Sequence, residues 1–125
     1  MTENELATII VDKCYRIHVE LGPGLLESVY EEVLFYELKQ EGLDVKCQLG
    51  LPVFYKDLKM ELGFRADLIV ENKVIIEIKS IQKIEPVHSK QLLTYLKITD
   101  LRLGLLINFN EVLIKNGIKR IVNNL

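Results

Sequence analysis

The chain is poor in the residues that several familiar chemistries require. Its 125 residues include two cysteines, Cys14 and Cys47. They are too few for a disulfide framework and lack the Cys-x-x-Cys spacing of a metal knuckle. Two isolated histidines, His18 and His88, do not make a structural zinc site. There is no Gly-x-Gly-x-x-Gly fingerprint and no Gly-x-x-x-x-Gly-Lys-Ser/Thr phosphate loop. A Gly-x-Ser-x-Gly elbow for a serine nucleophile is also missing. No apolar run approaches the ~18 residues of a membrane span. The opening MTENELATII is acidic, not basic-then-apolar as in a secretory signal. Linkers rich in serine or glycine and internal repeats are absent. The expectation is a single cytoplasmic domain over residues 1–125 with free thiols.

What is present suits a packed fold. Hydrophobic residues make up 49% and charged residues 27%, the balance of a globular domain and not of a disordered chain. A chain of this length buries roughly two thirds of its unfolded surface, enough for a core without staples. Charge is unevenly spread. Residues 1–44 hold three basic side chains against ten acidic, and residues 45–125 hold thirteen against eight. This is either a plain dipolar surface or a mildly basic half offered to a polyanion. The overall net charge of −2 argues against tight, non-specific nucleic-acid binding.

Hydrophobic periodicity predicts a helix over 4–20, with Leu6, Ile9, Ile10, Cys14, Ile17 and Leu21 on one stripe, stopped by Gly22-Pro23-Gly24. A second helix over 26–40 carries Leu26, Val29, Tyr30, Val33, Leu34 and Leu38. The period then changes to strands over 45–49, 51–55, 64–70 and 74–79. Pro86 opens a third helix reaching about Thr99. The apolar run 103–109 reads as a strand buried on both faces. Asn116-Gly117 predicts a hairpin between strands 112–114 and 118–122. The expected order, α-α-β-β-β-β-α-β-β, is an α/β or α+β sheet with helices packed on it.

The chemistry concentrates in FRADLIVENKVIIEIKS, residues 64–80. Alternation puts Phe64, Ala66, Leu68 and Val70 on one face of the first strand, and Arg65, Asp67 and Ile69 on the other. The second strand divides into Val74, Ile76 and Ile78 against Ile75, Glu77 and Lys79. A three-residue loop, Glu71-Asn72-Lys73, pairs Val70 with Val74 and sets Asp67 opposite Glu77 and Arg65 opposite Lys79. Like charges so placed cost about 0.2–1 kcal/mol on an exposed sheet, and a divalent cation between the two carboxylates would compensate. The plainer alternative is the wet face of an antiparallel sheet. Glu27 lies on the inward line of Tyr30, Leu34 and Leu38, unusual for an unpaired acid, although it could be a boundary residue reaching solvent. On the third helix His88, Gln91 and Tyr95 share a face, suited to bonding a phosphate or a carboxylate, or else simply polar surface. His18 reads as a packed or capping residue, Cys14 as core, and Cys47 as lacking an activating base.

Asp67 followed by Glu77-Ile78-Lys79 resembles the core of the PD-(D/E)xK nuclease superfamily, with Ala66 where a proline is common. Gly24-Leu25-Leu26-Glu27-Ser28-Val29-Tyr30 resembles the signature of the GxxExxY family within it. Gln91-Leu92-Leu93-Thr94-Tyr95 resembles the QxxxY helix of the RecB-like branch. The resemblance runs from about Ile9 to Val122. It implies a restriction-endonuclease-like αβββαβ core, dependence on Mg²⁺ or Mn²⁺, and hydrolysis of nucleic acid, DNA in preference to RNA. It further implies that Asp67, Glu77, the Ile78 carbonyl and Glu27 hold the metal and that Lys79 serves the attacking water. Gln91, Tyr95, Arg65 and His88 would support or contact substrate. The alternative is a non-catalytic nucleic-acid- or protein-binding module on the same scaffold. The first helix and the C-terminal hairpin could supply a homodimer interface.

Overall fold

The computed structural model describes residues 1–125. A five-stranded mixed sheet, ordered β1-β2-β3-β4-β5, separates two helices on one face from one on the other. In chain order the elements are α1 (Glu3–Leu21), α2 (Glu27–Gln40), β1 (Val45–Tyr55), β2 (Leu58–Val70), β3 (Val74–Lys79), α3 (Pro86–Thr99), β4 (Leu103–Asn108) and β5 (Ile118–Val122). This is the α+β architecture expected for the αβββαβ core. No helix is long and apolar enough to cross a membrane.

Local chemistry sets the helix ends. The Thr2 hydroxyl accepts the Glu5 N–H at 3.1 Å, and the Glu5 carboxylate accepts the Thr2 N–H at 2.9 Å, a reciprocal cap for α1. Gly22, at φ +72°, ends that helix by sending its N–H to the His18 carbonyl. The His18 ring lies 2.7 Å from the Glu111 carbonyl, so this histidine ties α1 to the loop after β4. Pro86 occupies the first turn of α3, where its missing N–H leaves no bond unmade.

The larger core lies between α1, α2 and the sheet. Leu6, Ile10, Tyr30, Leu34, Leu38, Leu68, Val70, Ile76 and Ile107 are among its members. The smaller core joins α3 to the other face through Ala66, Ile69, Ile75, Leu92, Leu96 and Leu106. β3 and β4 run parallel, and every other adjacent pair is antiparallel. That parallel pair needs the crossover that α3 provides. Gly104 lets α3 seat on β4: a Cβ there would stand 2.8–2.9 Å from three Leu92 carbons.

The element boundaries and helix stripes depart from the sequence expectation in several places. The two short strands at 45–49 and 51–55 are one strand, with a register irregularity between Leu51 and Val53. Pro52 falls at that irregularity on an edge strand, where a missing donor is tolerated. β2 begins at Leu58, earlier than the predicted start at 64, because it pairs with β1 to the tip. No strand forms at 112–114, and Ile114–Gly117 is a 3-10 turn. Gly117 is needed there for close approach, since a Cβ would collide with the Asn108 carbonyl. Leu26, placed on the buried stripe of α2, is 73% exposed and stands at the N-cap outside the helix.

Tyr30 links the core to the turn before α2. It is fully buried and stacked on Phe109, 4.4 Å between ring centroids. Its hydroxyl donates to the Gly22 carbonyl at 2.6 Å and accepts the Leu25 N–H at 3.1 Å. Tyr30→Phe keeps the stack but strands both backbone groups. The expected cost is about 1–3 kcal/mol, measured by urea denaturation. Gly104→Ala is expected to cost about 1–3 kcal/mol by overpacking in the same assay.

Candidate active site

The site begins where a strand loses its partner. β2 and β3 pair only through Val70–Val74, Ile69–Ile75 and Leu68–Ile76. The predicted three-residue loop is present, with Glu71 and Asn72 both at positive φ. Beyond Leu68 the strands part. The Ile78 N–H, which would have met β2, is accepted by Asp67 Oδ2 at 2.8 Å. Two residues on, the Ser80 N–H leaves the same edge and is accepted by Glu27 Oε2 at 3.1 Å. The Ser80 hydroxyl adds a 2.6 Å bond to the Leu25 carbonyl. Groups two apart on an extended chain share an edge, so the Ile78 carbonyl emerges between the two carboxylates.

The predicted division of β2 into two faces fails at Asp67. Leu68 and Val70 belong to the core under α1 and α2, whereas Ala66 belongs to the core under α3. Phe64 stacks on Tyr95 of α3, 4.1 Å between centroids. The alternation breaks on both strands at one rung. In β1, Cys47 pairs with Leu68 and Leu49 with Ala66, and Gln48 between them has φ +52°. Asp67 therefore leaves the face pattern and bonds along the sheet edge. The predicted strand pairs Asp67–Glu77 and Arg65–Lys79 do not form, because β2 and β3 part beyond Leu68–Ile76, and Arg65, opposite Gly50 of β1, is exposed.

β3 keeps its alternation. Ile75 packs under α3, and Glu77 and Lys79 follow on the same face. Glu77 is 7% exposed, and its Oε1 has no hydrogen-bond partner. Burial, and then the Asp67 charge, push its carboxyl up from 4.5 to about 9, with Lys79 pulling the other way. The Tyr95 phenol is raised above its ordinary value by burial and then by the charges of Glu77 and Asp67.

These donors suit a hard cation. A carboxylate oxygen buried without a partner beside a second carboxylate, with a main-chain carbonyl on the same edge, is an oxygen set of the kind Mg²⁺ takes. No three His, Cys, Asp or Glu side chains are gathered as a metal cluster. Glu27 is turned to Ser80 instead. Mg²⁺ needs only one or two carboxylates, since it keeps several waters.

The remaining predicted residues separate clearly. Gln91 sits one turn before Tyr95 and is exposed. His88 is a capping residue, its Nδ1 accepting the Glu85 N–H at 2.9 Å. Sequence reasoning missed three residues. Glu31, one turn after Glu27, accepts Gln48 Nε2 at 2.7 Å and the Cys47 thiol at 3.3 Å. Gln48 Nε2 also reaches Asp67 Oδ1 at 3.2 Å. Asn108, fully buried, accepts the Ile81 N–H and donates to the Ile81 carbonyl, pinning the chain just past Ser80. The i, i+4 spacing of Glu27 and Glu31, and an asparagine within the apolar run 103–109, were the available signals. Cys47 does have an acid beside it, but burial and Glu31 push its thiol up to about 11, the wrong direction for a nucleophile.

A family model described as the PD-(D/E)XK nuclease superfamily matches residues 4–121. No curated protein matches the chain.

Glu77 also fixes a pH dependence. Its folded value lies above its ordinary one, so the folded state holds a proton that the unfolded state releases. The associated stability is complete below about 4.5 and is lost as pH rises toward about 9. Metal-free protein is expected to melt at progressively lower temperature between pH 5 and 8, by roughly the slope one proton gives. Glu77→Gln should flatten the profile, as followed by thermal denaturation monitored by circular dichroism.

Proposed function

Because the chain belongs to the PD-(D/E)XK nuclease superfamily, we propose that it is a Mg²⁺- or Mn²⁺-dependent nuclease that hydrolyses phosphodiester bonds, in DNA in preference to RNA. One observation carries the reading: Glu77 Oε1, buried without a partner beside Asp67. An unpaired buried acid is costly unless something binds it. Asp67, Glu77 and the Ile78 carbonyl hold the ion, with Glu27 joining directly or through a water. The chemistry such an ion supplies is a bound water of lowered pKa and stabilisation of negative charge on the phosphate.

The chain's own groups do the rest. Lys79 extends from the strand that carries Glu77, holds the attacking water and offsets charge building on phosphorus. Tyr95, braced against Phe64, orients the acid pair, and Gln91 contacts the nucleic-acid backbone. The resemblance of Gln91 and Tyr95 to the RecB-like helix supports DNA as substrate. The likeness to the GxxExxY signature has a physical counterpart here. Gly24 adopts φ +97°, Glu27 bonds Ser80 and Tyr30 ties down the turn. With the C-terminal hairpin unformed, a homodimer would rest on α1 and the edge strand β5. Both cysteines are free thiols, as suits a cytoplasmic protein.

A second reading, a binding module without catalysis, draws on the absence of a gathered third carboxylate. The intact Asp67, Glu77 and Lys79 weigh against it. Cleavage of labelled single- and double-stranded DNA and RNA, with and without Mg²⁺ or Mn²⁺, decides between them. Metal-dependent cleavage is expected, reduced about 10²-fold or more by Lys79→Ala, as for loss of a transition-state donor. Equal rates in the wild type and Lys79→Ala would remove the mechanism.

A further inference from the structure

We propose that Gln48 and Glu31 are positioning residues for Asp67, a relay that holds the metal-binding carboxylate from the β1 side. The proposal deepens the nuclease reading and rests on it. One amide nitrogen, Gln48 Nε2, spans Glu31 Oε1 at 2.7 Å and Asp67 Oδ1 at 3.2 Å. Asp67 Oδ2 is already taken by the Ile78 N–H. Each oxygen of Asp67 thus receives one donor and keeps a lone pair, and the carboxylate plane is set from two sides. Outer partners of this kind orient metal ligands and tune their affinity.

Backbone and packing single out Gln48. It stands within β1 at φ +52°, a conformation that favours glycine and is uncommon elsewhere. Its side chain is exposed and belongs to neither core, so packing does not account for a glutamine there. Its rung is the one at which β1 and β2 exchange faces, opposite Asp67. The far end of the relay is anchored as well, since Glu31 also accepts the Cys47 thiol at 3.3 Å.

The geometry makes two substitutions informative. Gln48→Gly removes the amide while relieving the backbone. It should leave the metal-free melting temperature equal or higher, yet weaken Mn²⁺ binding about 10-fold, the lower end of outer-shell effects. Glu31→Ala should weaken it similarly. Glu31→Gln keeps an oxygen for the Gln48 amide and should bind Mn²⁺ as the wild type does. Titration calorimetry of the full chain with Mn²⁺ reads all three, and cleavage of labelled duplex at saturating Mn²⁺ should recover much of its rate. Wild-type affinity in Gln48→Gly overturns the proposal. So does equal loss in Glu31→Gln and Glu31→Ala, which would mean that charge and not position matters. A wild-type chain that neither takes up Mn²⁺ nor cleaves removes the nuclease reading and this relay together. A chain that does both, with no effect in Gln48→Gly, removes only the relay.

Discussion

A strand inside a sheet must satisfy hydrogen-bonding groups on both of its edges. β3 meets β4 along its full length, but β2 leaves it after three rungs. The vacated edge is where the acids gather. Asp67 and Glu27 accept the N–H groups of Ile78 and Ser80, standing in for the missing strand. Two carboxylates are thereby fixed on either side of one main-chain carbonyl. Structural need and the proposed metal chemistry coincide in the same bonds.

The rest of the molecule serves that edge. Asn108 copies a strand partner for Ile81, so the chain beyond Lys79 stays in place. The Tyr30 hydroxyl ties down the turn that delivers Glu27. α3 covers the face toward which Glu77 points, and Phe64 with Tyr95 forms its outer wall. The acidic α2 brings Glu27 and Glu31 to the strands from the other side. The two halves of unequal charge meet at this edge, where the acids Glu27 and Glu31 of the negative half bond Ser80 and Gln48 of the other.

The helices, β3, β4 and the loop 71–73 were legible from periodicity and turn chemistry. Short-range rules capture such elements because their residues answer mainly to neighbours in the chain. The register Val70–Val74 was legible because burial of one face tolerates no slip by one. The break at Asp67 was not, since it depends on a positive φ at Gln48, about twenty residues away. For the same reason Arg65 was misplaced opposite Lys79. Asn116-Gly117 carried a genuine hairpin signal, yet the glycine is there to let the chain pass against Asn108. The roles of Glu31 and Asn108 depend on partners 17 and 27 residues distant, beyond any local pattern.

The placement of β3 has a dynamic consequence. As the middle strand, bonded on both sides and buried on both faces, it belongs to the part of the fold that opens last. Glu77 and Lys79 ride on it. Glu27 instead heads α2 and is held through bonds between separate segments, its own to the Ser80 N–H and that of Tyr30 to the Gly22 carbonyl. The acid set therefore joins a rigid strand to a helix start held by side-chain bonds, and any rearrangement there falls on the helix side first.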